Sequence, residues 1–210
     1  MLNKNILLLY AVTDRKCIGD KDFYQTIENA LKGGVTILQL REKNLTEDEL
    51  VAVAVKVKEI CRRYGIPLII NDNYSAALKA GADGVHVGIE DAPVAEIRKI
   101  CGKEFIIGAT AKTVEQAQKA EKDGADYLGV GAVFPSPTKT NAIRITNEQL
   151  REICSSVAIP AVAIGGITGE NASSLAGSGI SGIAVVSSLF GADDVEKAAK
   201  VLAEKSNEII

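Results

Sequence analysis

From end to end, the chain alternates short apolar, β-rich runs with longer segments of helical period. The short runs fall at 7–12, 36–40, 68–71, 84–87, 105–109, 127–130, 161–164 and 182–186. Helical stretches lie between and after them, near 21–32, 46–63, 73–80, 92–100, 113–123, 146–155, 170–177 and 194–205. The short runs are almost continuously apolar, as strands are when helices cover both faces of a parallel sheet. Eight strand–helix units in 210 residues leave about 26 residues each, the compact end of the size range for a (β/α)8 barrel. The expected fold is therefore α/β, a single-domain (β/α)8 TIM barrel spanning residues 1–210.

A quasi-repeat supports that count. Segments beginning at Lys32, Lys79, Lys122 and Gly177 each place a glycine just past a helix and before an even-numbered strand. Thr46 with Glu49 forms a capping-box signature, and Leu50, Val53, Ala54, Val57 and Ile60 then follow one helical face. An open doubly wound sheet would usually show GxGxxG after its first strand, and none stands there.

Charge and composition exclude several classes. A net charge of −3 lacks the basic field that nucleic-acid backbones require, and with 4% aromatic residues and no tryptophan the chain lacks stacking platforms. The apolar run at 6–12 is far shorter than the roughly 20 residues of a membrane helix. Thr13-Asp14-Arg15-Lys16 follows where a signal peptidase would need small residues, so a cytoplasmic location is expected. Cys61, Cys101 and Cys154 each close an amphipathic helix before a strand and show no CxxC spacing, so buried thiols are expected there, not a zinc site.

Barrels of this kind carry their chemistry at the C-terminal strand ends. After strand 2, Gln39 and Arg41 alternate onto one side with Val35 and Ile37 and would point into the barrel mouth, where the Arg41 fork suits phosphate oxygens. A structural ion pair for Arg41 is the alternative. Asp72 and Asp91 follow strands 3 and 4 on adjacent loops and could converge on one Mg2+, although both could equally cap the helices that follow. His86 is the only histidine and reads as a satisfied rim or core residue ahead of a general base. The loop after strand 6 carries hydroxyls and Lys139 around Pro135 and Pro137. Gly165-Gly166 after strand 7 and Val186-Ser187-Ser188 after strand 8 stand where this fold commonly cradles a phosphate. Two anion sites in one mouth suggest one monophosphate substrate and another bearing a metal-bound diphosphate.

Gln39-x-Arg41-Glu42-Lys43, Asn71-Asp72, His86-Val87-Gly88-x-Glu90-Asp91, Gly131-x-Val133-Phe134-Pro135-Ser136-x-Thr138-Lys139 and Ile164-Gly165-Gly166-Ile167, in this order, resemble the thiamin phosphate synthase family over nearly the whole chain. The resemblance implies a transferase that joins 4-amino-5-hydroxymethyl-2-methylpyrimidine diphosphate to hydroxyethylthiazole phosphate and releases pyrophosphate with Mg2+. It implies that Asp72 and Asp91 hold the metal, and that Arg41, Lys43, Asn71 and Lys139 hold the diphosphate, with Arg41 and Lys139 assisting its departure. Gln39 and Thr110 would line the pyrimidine pocket, and Ser136, Thr138, Gly166, Val186 and Ser187 would surround the thiazole phosphate. The pyrimidine would depart first as a carbocation, which the thiazole nitrogen captures. No Ser–His or Cys–His nucleophile is evident, and such a reaction needs none.

Three positions depart from the family pattern: Asn73 where a second aspartate is common, Asn141 where an aspartate often follows the loop lysine, and Thr110 where serine is frequent. A thiazole tautomerase of the same fold would have less reason to keep Arg41, Asp72, Asp91 and Lys139 together. A sugar-phosphate epimerase would want paired acids or a metal–histidine set across the barrel. A non-catalytic sensor of a thiamin precursor or product that regulates a partner is a further alternative, against which stand the acidic balance and the lack of anything resembling a DNA-binding appendage. The partners expected are small molecules, with no nucleic acid and no membrane, and a homo-oligomer is left open.

Overall fold

The computed structural model describes residues 2–135 and 144–210. Eight parallel strands among them close into a barrel, each bonded to its neighbours in chain order and β8 bonded back to β1. The strands are β1 (Leu9–Val12), β2 (Ile37–Leu40), β3 (Leu68–Asn71), β4 (Gly84–Val87), β5 (Ile106–Ala111), β6 (Tyr127–Gly131), β7 (Ala161–Ile164) and β8 (Gly182–Val185). The helices are α1 (Arg15–Ile18), α2 (Phe23–Lys32), α3 (Glu47–Arg63), α4 (Tyr74–Ala80), α5 (Val94–Cys101), α6 (Val114–Asp123), α7 (Asn147–Ser155), α8 (Ser187–Phe190) and α9 (Val195–Ile209). No helix among the described residues is long and apolar enough to cross a membrane.

Local chemistry sets most boundaries. The Thr46–Glu49 capping box forms as expected at α3, and Thr146 with Gln149 makes a second one at α7. Gly81 and Gly124 end α4 and α6 in the left-handed conformation that the repeat implied. In the first repeat that conformation shifts to Gly34, since Gly33 remains right-handed.

The expected helix at 170–177 reduces to a 3-10 turn, Ala172–Leu175. The Asn171 side chain bonds back to the Thr168 N–H and the Gly166 carbonyl, and the Ser174 hydroxyl bonds the Asn171 carbonyl. Such local side-chain bonds compete with the helical ladder, and the positive φ of Gly177 and Gly179 stops its extension. The single turns α1 and α8 were not anticipated because one turn is too short to show periodicity. Among the cysteines, Cys61 is fully buried as expected, whereas Cys101 and Cys154 are only partly covered and all three are thiols.

Alternation along each strand divides the core in two. Leu9, Ala11, Leu38, Leu40, Leu68 and Ile70 pack outward against the helices. Tyr10, Val12, Ile37, Ile69, Tyr127, Val162 and Ala184 fill the barrel interior above Leu7. Gln39 shares the inward side of β2 with Ile37, as the alternation of facing required.

The middle of the interior is polar. His86, Gly108 and Tyr127 stand level on β4, β5 and β6. A Cβ on Gly108 would lie 2.1 Å from Tyr127 Cζ and 2.5 Å from His86 Nδ1, so the glycine makes the room in which the two rings meet. The Tyr127 hydroxyl lies 3.1 Å from His86 Nδ1 and 2.6 Å from the Tyr10 hydroxyl. Gln39 Nε2 donates to the Tyr10 hydroxyl at 2.8 Å, and His86 Nε2 lies 3.1 Å from Thr110 Oγ1. Although the imidazole borders the mouth and keeps some exposed area, protein packs its remaining sides, and burial pushes its pKa down to about 4.

Gly108→Ala is expected to lower stability by roughly 1–3 kcal/mol, because the methyl must displace packed rings; an unchanged melting temperature would contradict this packing. An unfolded histidine takes up its proton near 6.5, but His86 in the barrel does so only near 4. Between those pH values the unfolded state binds more protons, so stability falls as pH drops from about 6.5 to about 4, by up to about 3 kcal/mol. Urea denaturation at pH 7 and pH 5 should show a larger loss for the native chain than for His86→Gln, and equal losses would refute the assignment.

Candidate active site

The C-terminal strand ends surround a cavity of about 220 Å3 whose lining includes Gln39, Arg41, Asn71, His86, Thr110 and Ser187. A wider, shallower depression of about 580 Å3 lies at the other end of the strands, around Lys58, Asp83 and Phe105. Lys58 and Asp83 are ion-paired there, and none of the expected site residues lines it.

Arg41 makes the structural ion pair and still reaches the mouth. Its Nη1 lies 3.2 Å from Asp14 Oδ2, and its side chain also lines the mouth cavity. Asp14 caps α1 with its other oxygen, accepting from the N–H groups of Lys16 and Cys17 at 2.9 and 3.3 Å. One carboxylate thus fixes a helix start and orients the guanidinium. Glu42 turns away to pair with Arg15 at 2.7 Å. Lys43 is exposed and does not line the cavity.

The capping alternative for the two aspartates does not hold. Asn73, not Asp72, caps α4: its Oδ1 accepts from the Ala76 N–H at 2.8 Å and its Nδ2 donates to Glu47 at 3.2 Å. An aspartate would cap equally well, but only the amide can also donate to Glu47. Asp72 has φ +64, the only positive φ outside glycine among the described residues, and its N–H donates to the His86 carbonyl at 2.8 Å. Pro93 begins α5 without a side-chain cap, while Asp91 Oδ2 accepts from the Gly88 N–H at 2.6 Å.

Freed from capping, the two carboxylates meet. Burial first, and then hydrogen bonding and repulsion from Asp91, push the Asp72 pKa up to about 6, with Asn71 and Arg41 opposing. Asn71 Nδ2 donates to Asp72 Oδ2 while lining the cavity, so the acidic pair adjoins the mouth. No group of three or more potential metal-ligating side chains occurs among the described residues. Two touching carboxylates beside a phosphate-sized opening fit Mg2+, which keeps waters and takes phosphate oxygens for its remaining positions.

Among the described residues the opposite wall is formed by the turn after β7 and the start of α8. Gly166 has φ +65, and a Cβ there would lie 2.1 Å from the Pro135 carbonyl oxygen, so no side chain fits between β7 and the start of the β6–α7 loop. Asn171 Nδ2 holds the Gly166 carbonyl at 2.9 Å. Val186 precedes α8, whose first N–H groups, at Ser187 and Ser188, have no intrahelical acceptor and border the cavity. Ser136, Thr138, Lys139 and Asn141 lie outside the described residues. Sequence reasoning missed Asp14, Lys112, Tyr10 and Tyr127. Lys112 follows β5 into the cavity lining, and the tyrosines sit in apolar strand runs that gave no polar signal.

The family model for thiamine monophosphate synthase matches residues 9–189. Thiamine-phosphate synthase 2 of Streptococcus pneumoniae serotype 4 is 47% identical over 209 residues, covering 100% of both chains. Thiamine-phosphate synthase of Clostridium tetani is 46% identical, covering 99% of this chain and 100% of its own. The solved structure of thiamine phosphate pyrophosphorylase from Pyrococcus furiosus superposes with a TM-score of 0.90 at 40% identity, over 99% of this chain and 98% of that one. With its closed barrel and its motifs gathered at one mouth, this chain belongs to the thiamine monophosphate synthase family.

Proposed function

We propose that this chain is a thiamine-phosphate synthase, joining 4-amino-5-hydroxymethyl-2-methylpyrimidine diphosphate to hydroxyethylthiazole phosphate with release of pyrophosphate. The observation that carries this reading is the division of one mouth. Arg41, Asn71 and the touching pair Asp72–Asp91 lie on one side, and the Gly166 turn with the α8 N–H groups lies on the other. A diphosphate on the first side and a monophosphate on the second would hold the reacting carbon and the thiazole nitrogen together, which removes much of the entropic part of the barrier.

Arg41, fixed by Asp14, presents a bidentate fork to the diphosphate, and Asn71 adds an amide donor at its edge. Lys139 would add a second cation from the β6–α7 loop, while Lys43, exposed and outside the cavity lining, would reach the diphosphate only from the rim. Bound between Asp72 and Asp91, Mg2+ would offset charge on the diphosphate and make pyrophosphate a better leaving group. The carbon–oxygen bond to the diphosphate breaks with its electron pair going to pyrophosphate. The resulting pyrimidinylmethyl cation takes the lone pair of the thiazole nitrogen, forming the new carbon–nitrogen bond. Gln39 and Thr110 line the pyrimidine, while Ser136, Thr138, Gly166, Val186 and Ser187 hold the thiazole phosphate. A cytoplasmic location suits the thiols of Cys61, Cys101 and Cys154.

Purified protein given both substrates should release thiamin phosphate and pyrophosphate in equal amounts, and only with magnesium. Binding of the thiazole phosphate without product would contradict the assignment. Lys139→Ala should lower turnover on the order of 10²-fold while barely changing the KM for thiazole phosphate, since it acts on charge developing at the leaving group; equal losses in both would rule that role out. Asp91→Asn should shift the magnesium titration to about tenfold higher concentration, and an unchanged midpoint would exclude it as a ligand.

A further inference from the structure

One polar chain in the barrel is left unused by the reaction as written. It runs from Gln39 through the hydroxyls of Tyr10 and Tyr127 to His86 and ends on Thr110. Its two ends, with Tyr10 and His86, line the mouth cavity, whereas Tyr127 lies beneath it. Gly108 opens the space in which the Tyr127 and His86 rings meet, and Gly129 leaves room beside the imidazole, where a Cβ would come within 3.0 Å of Cε1. An eight-stranded barrel interior is ordinarily filled by branched apolar side chains. Two glycines here accommodate a histidine and a tyrosine instead.

We infer that Tyr10, Tyr127 and His86 are positioning residues that fix the direction of hydrogen bonding at both ends of this chain, so that the site reads the 4-amino edge of its pyrimidine and rejects the 4-oxo form. The inference rests on the proposal that the pyrimidine lies beside Gln39 and Thr110.

The direction follows from satisfying every buried group. Gln39 Nε2 donates to the Tyr10 hydroxyl, which is 1% exposed and has only Gln39 and Tyr127 as side-chain partners. Were Tyr127 to donate to it as well, the Tyr10 proton would be left with no acceptor. Tyr10 therefore donates to Tyr127, and Tyr127 donates to His86 Nδ1. The proton of a neutral imidazole then sits on Nε2 and is donated to Thr110 Oγ1, leaving the threonine's own proton for a ligand. At the other end Gln39 keeps its carbonyl oxygen, to which no described residue donates. Burial supports this by holding all three linking groups neutral: it lowers the His86 pKa to about 4 and raises those of both tyrosines.

The site thus offers an acceptor on Gln39 and a donor on Thr110. A 4-aminopyrimidine offers the complement, a donating amino group next to an accepting ring nitrogen. A 4-oxopyrimidine reverses that order, placing an acceptor at the exocyclic atom and a proton on the ring nitrogen. Mismatched buried groups then remain unpaired, which is how hydrogen-bonding sites reject near-isosteres.

The test measures kcat/KM with the 4-amino pyrimidine diphosphate and with its 4-oxo analogue. The native enzyme should prefer the amino form by roughly 10²-fold or more. Tyr127→Phe and His86→Leu should reduce that preference to within about tenfold while leaving the KM for thiazole phosphate unchanged. His86→Gln should keep most of it, because its carbonyl can accept from Tyr127 and its amide can donate to Thr110. A purely structural role would lower activity on both analogues alike and leave their ratio intact, which would overturn the inference, as would a native enzyme that uses both equally. Gln39→Ala and Thr110→Ala separate the two levels. If neither alters the KM for the pyrimidine diphosphate, the placement of the pyrimidine fails and takes the inference with it. If both raise that KM while Tyr127→Phe preserves the ratio, only the directional chain is wrong.

Discussion

An eight-stranded barrel is only wide enough to be filled by its own side chains, so whatever occupies its middle also forms the floor of the site above. In this chain Tyr10 and Tyr127 occupy that position, with ring centroids 5.7 Å apart and hydroxyls joined at 2.6 Å. Apolar residues flank them within the same cluster, among them Ile37, Ile69 and Val162. The hydroxyls need partners because they are fully enclosed, and the partners available are Gln39 and His86, which reach the mouth. Core packing and the lining of the mouth therefore share one set of atoms. Each polar group in the floor has a designated neighbour, from Gln39 through the two tyrosines to His86 and Thr110.

Above the floor the mouth is divided electrostatically. One half gathers side-chain charge: Arg41 held by Asp14, and two carboxylates released from capping by Asn73 and by the uncapped start of α5. Among the described residues the other half presents two positive-φ glycines after β7 and the start of α8, with Ser187 and Ser188. A diphosphate with its metal calls for strong, discrete charges, whereas a monophosphate can be held by oriented N–H groups. Burial first, and then the neighbouring Asp91, raise the Asp72 pKa, so the pair is costly in the protein alone, and a cation held there would relieve that cost.

The architecture was legible because strand and helix periods are dense, repeated signals. The continuous apolar runs, the Thr46–Glu49 box and the glycines at 81 and 124 each gave a local reason for an element that the barrel contains. The segment at 170–177 misled because its apolar spacing looked helical while Asn171 and Ser174 turned their side chains onto the backbone. Arg41 and the two aspartates could be placed at strand ends, but whether those aspartates capped helices depended on Asp72 adopting φ +64 and on Asp91 turning back to the Gly88 N–H, which no pattern of residue types announces. Asp14 caps a helix of one turn, too short to show a period, and Tyr10 and Tyr127 passed as apolar strand residues. What makes them polar participants is a contact 117 residues apart in sequence.

The proposed reaction depends on one mouth carrying two separate anion sites, occupied together. The most direct measurement is calorimetric titration of magnesium pyrophosphate into the protein, with and without saturating hydroxyethylthiazole phosphate. One pyrophosphate per chain should bind in both cases, with affinity undiminished by the thiazole phosphate and dependent on magnesium. Displacement of either ligand by the other would mean a single shared phosphate site and would contradict the division of the mouth.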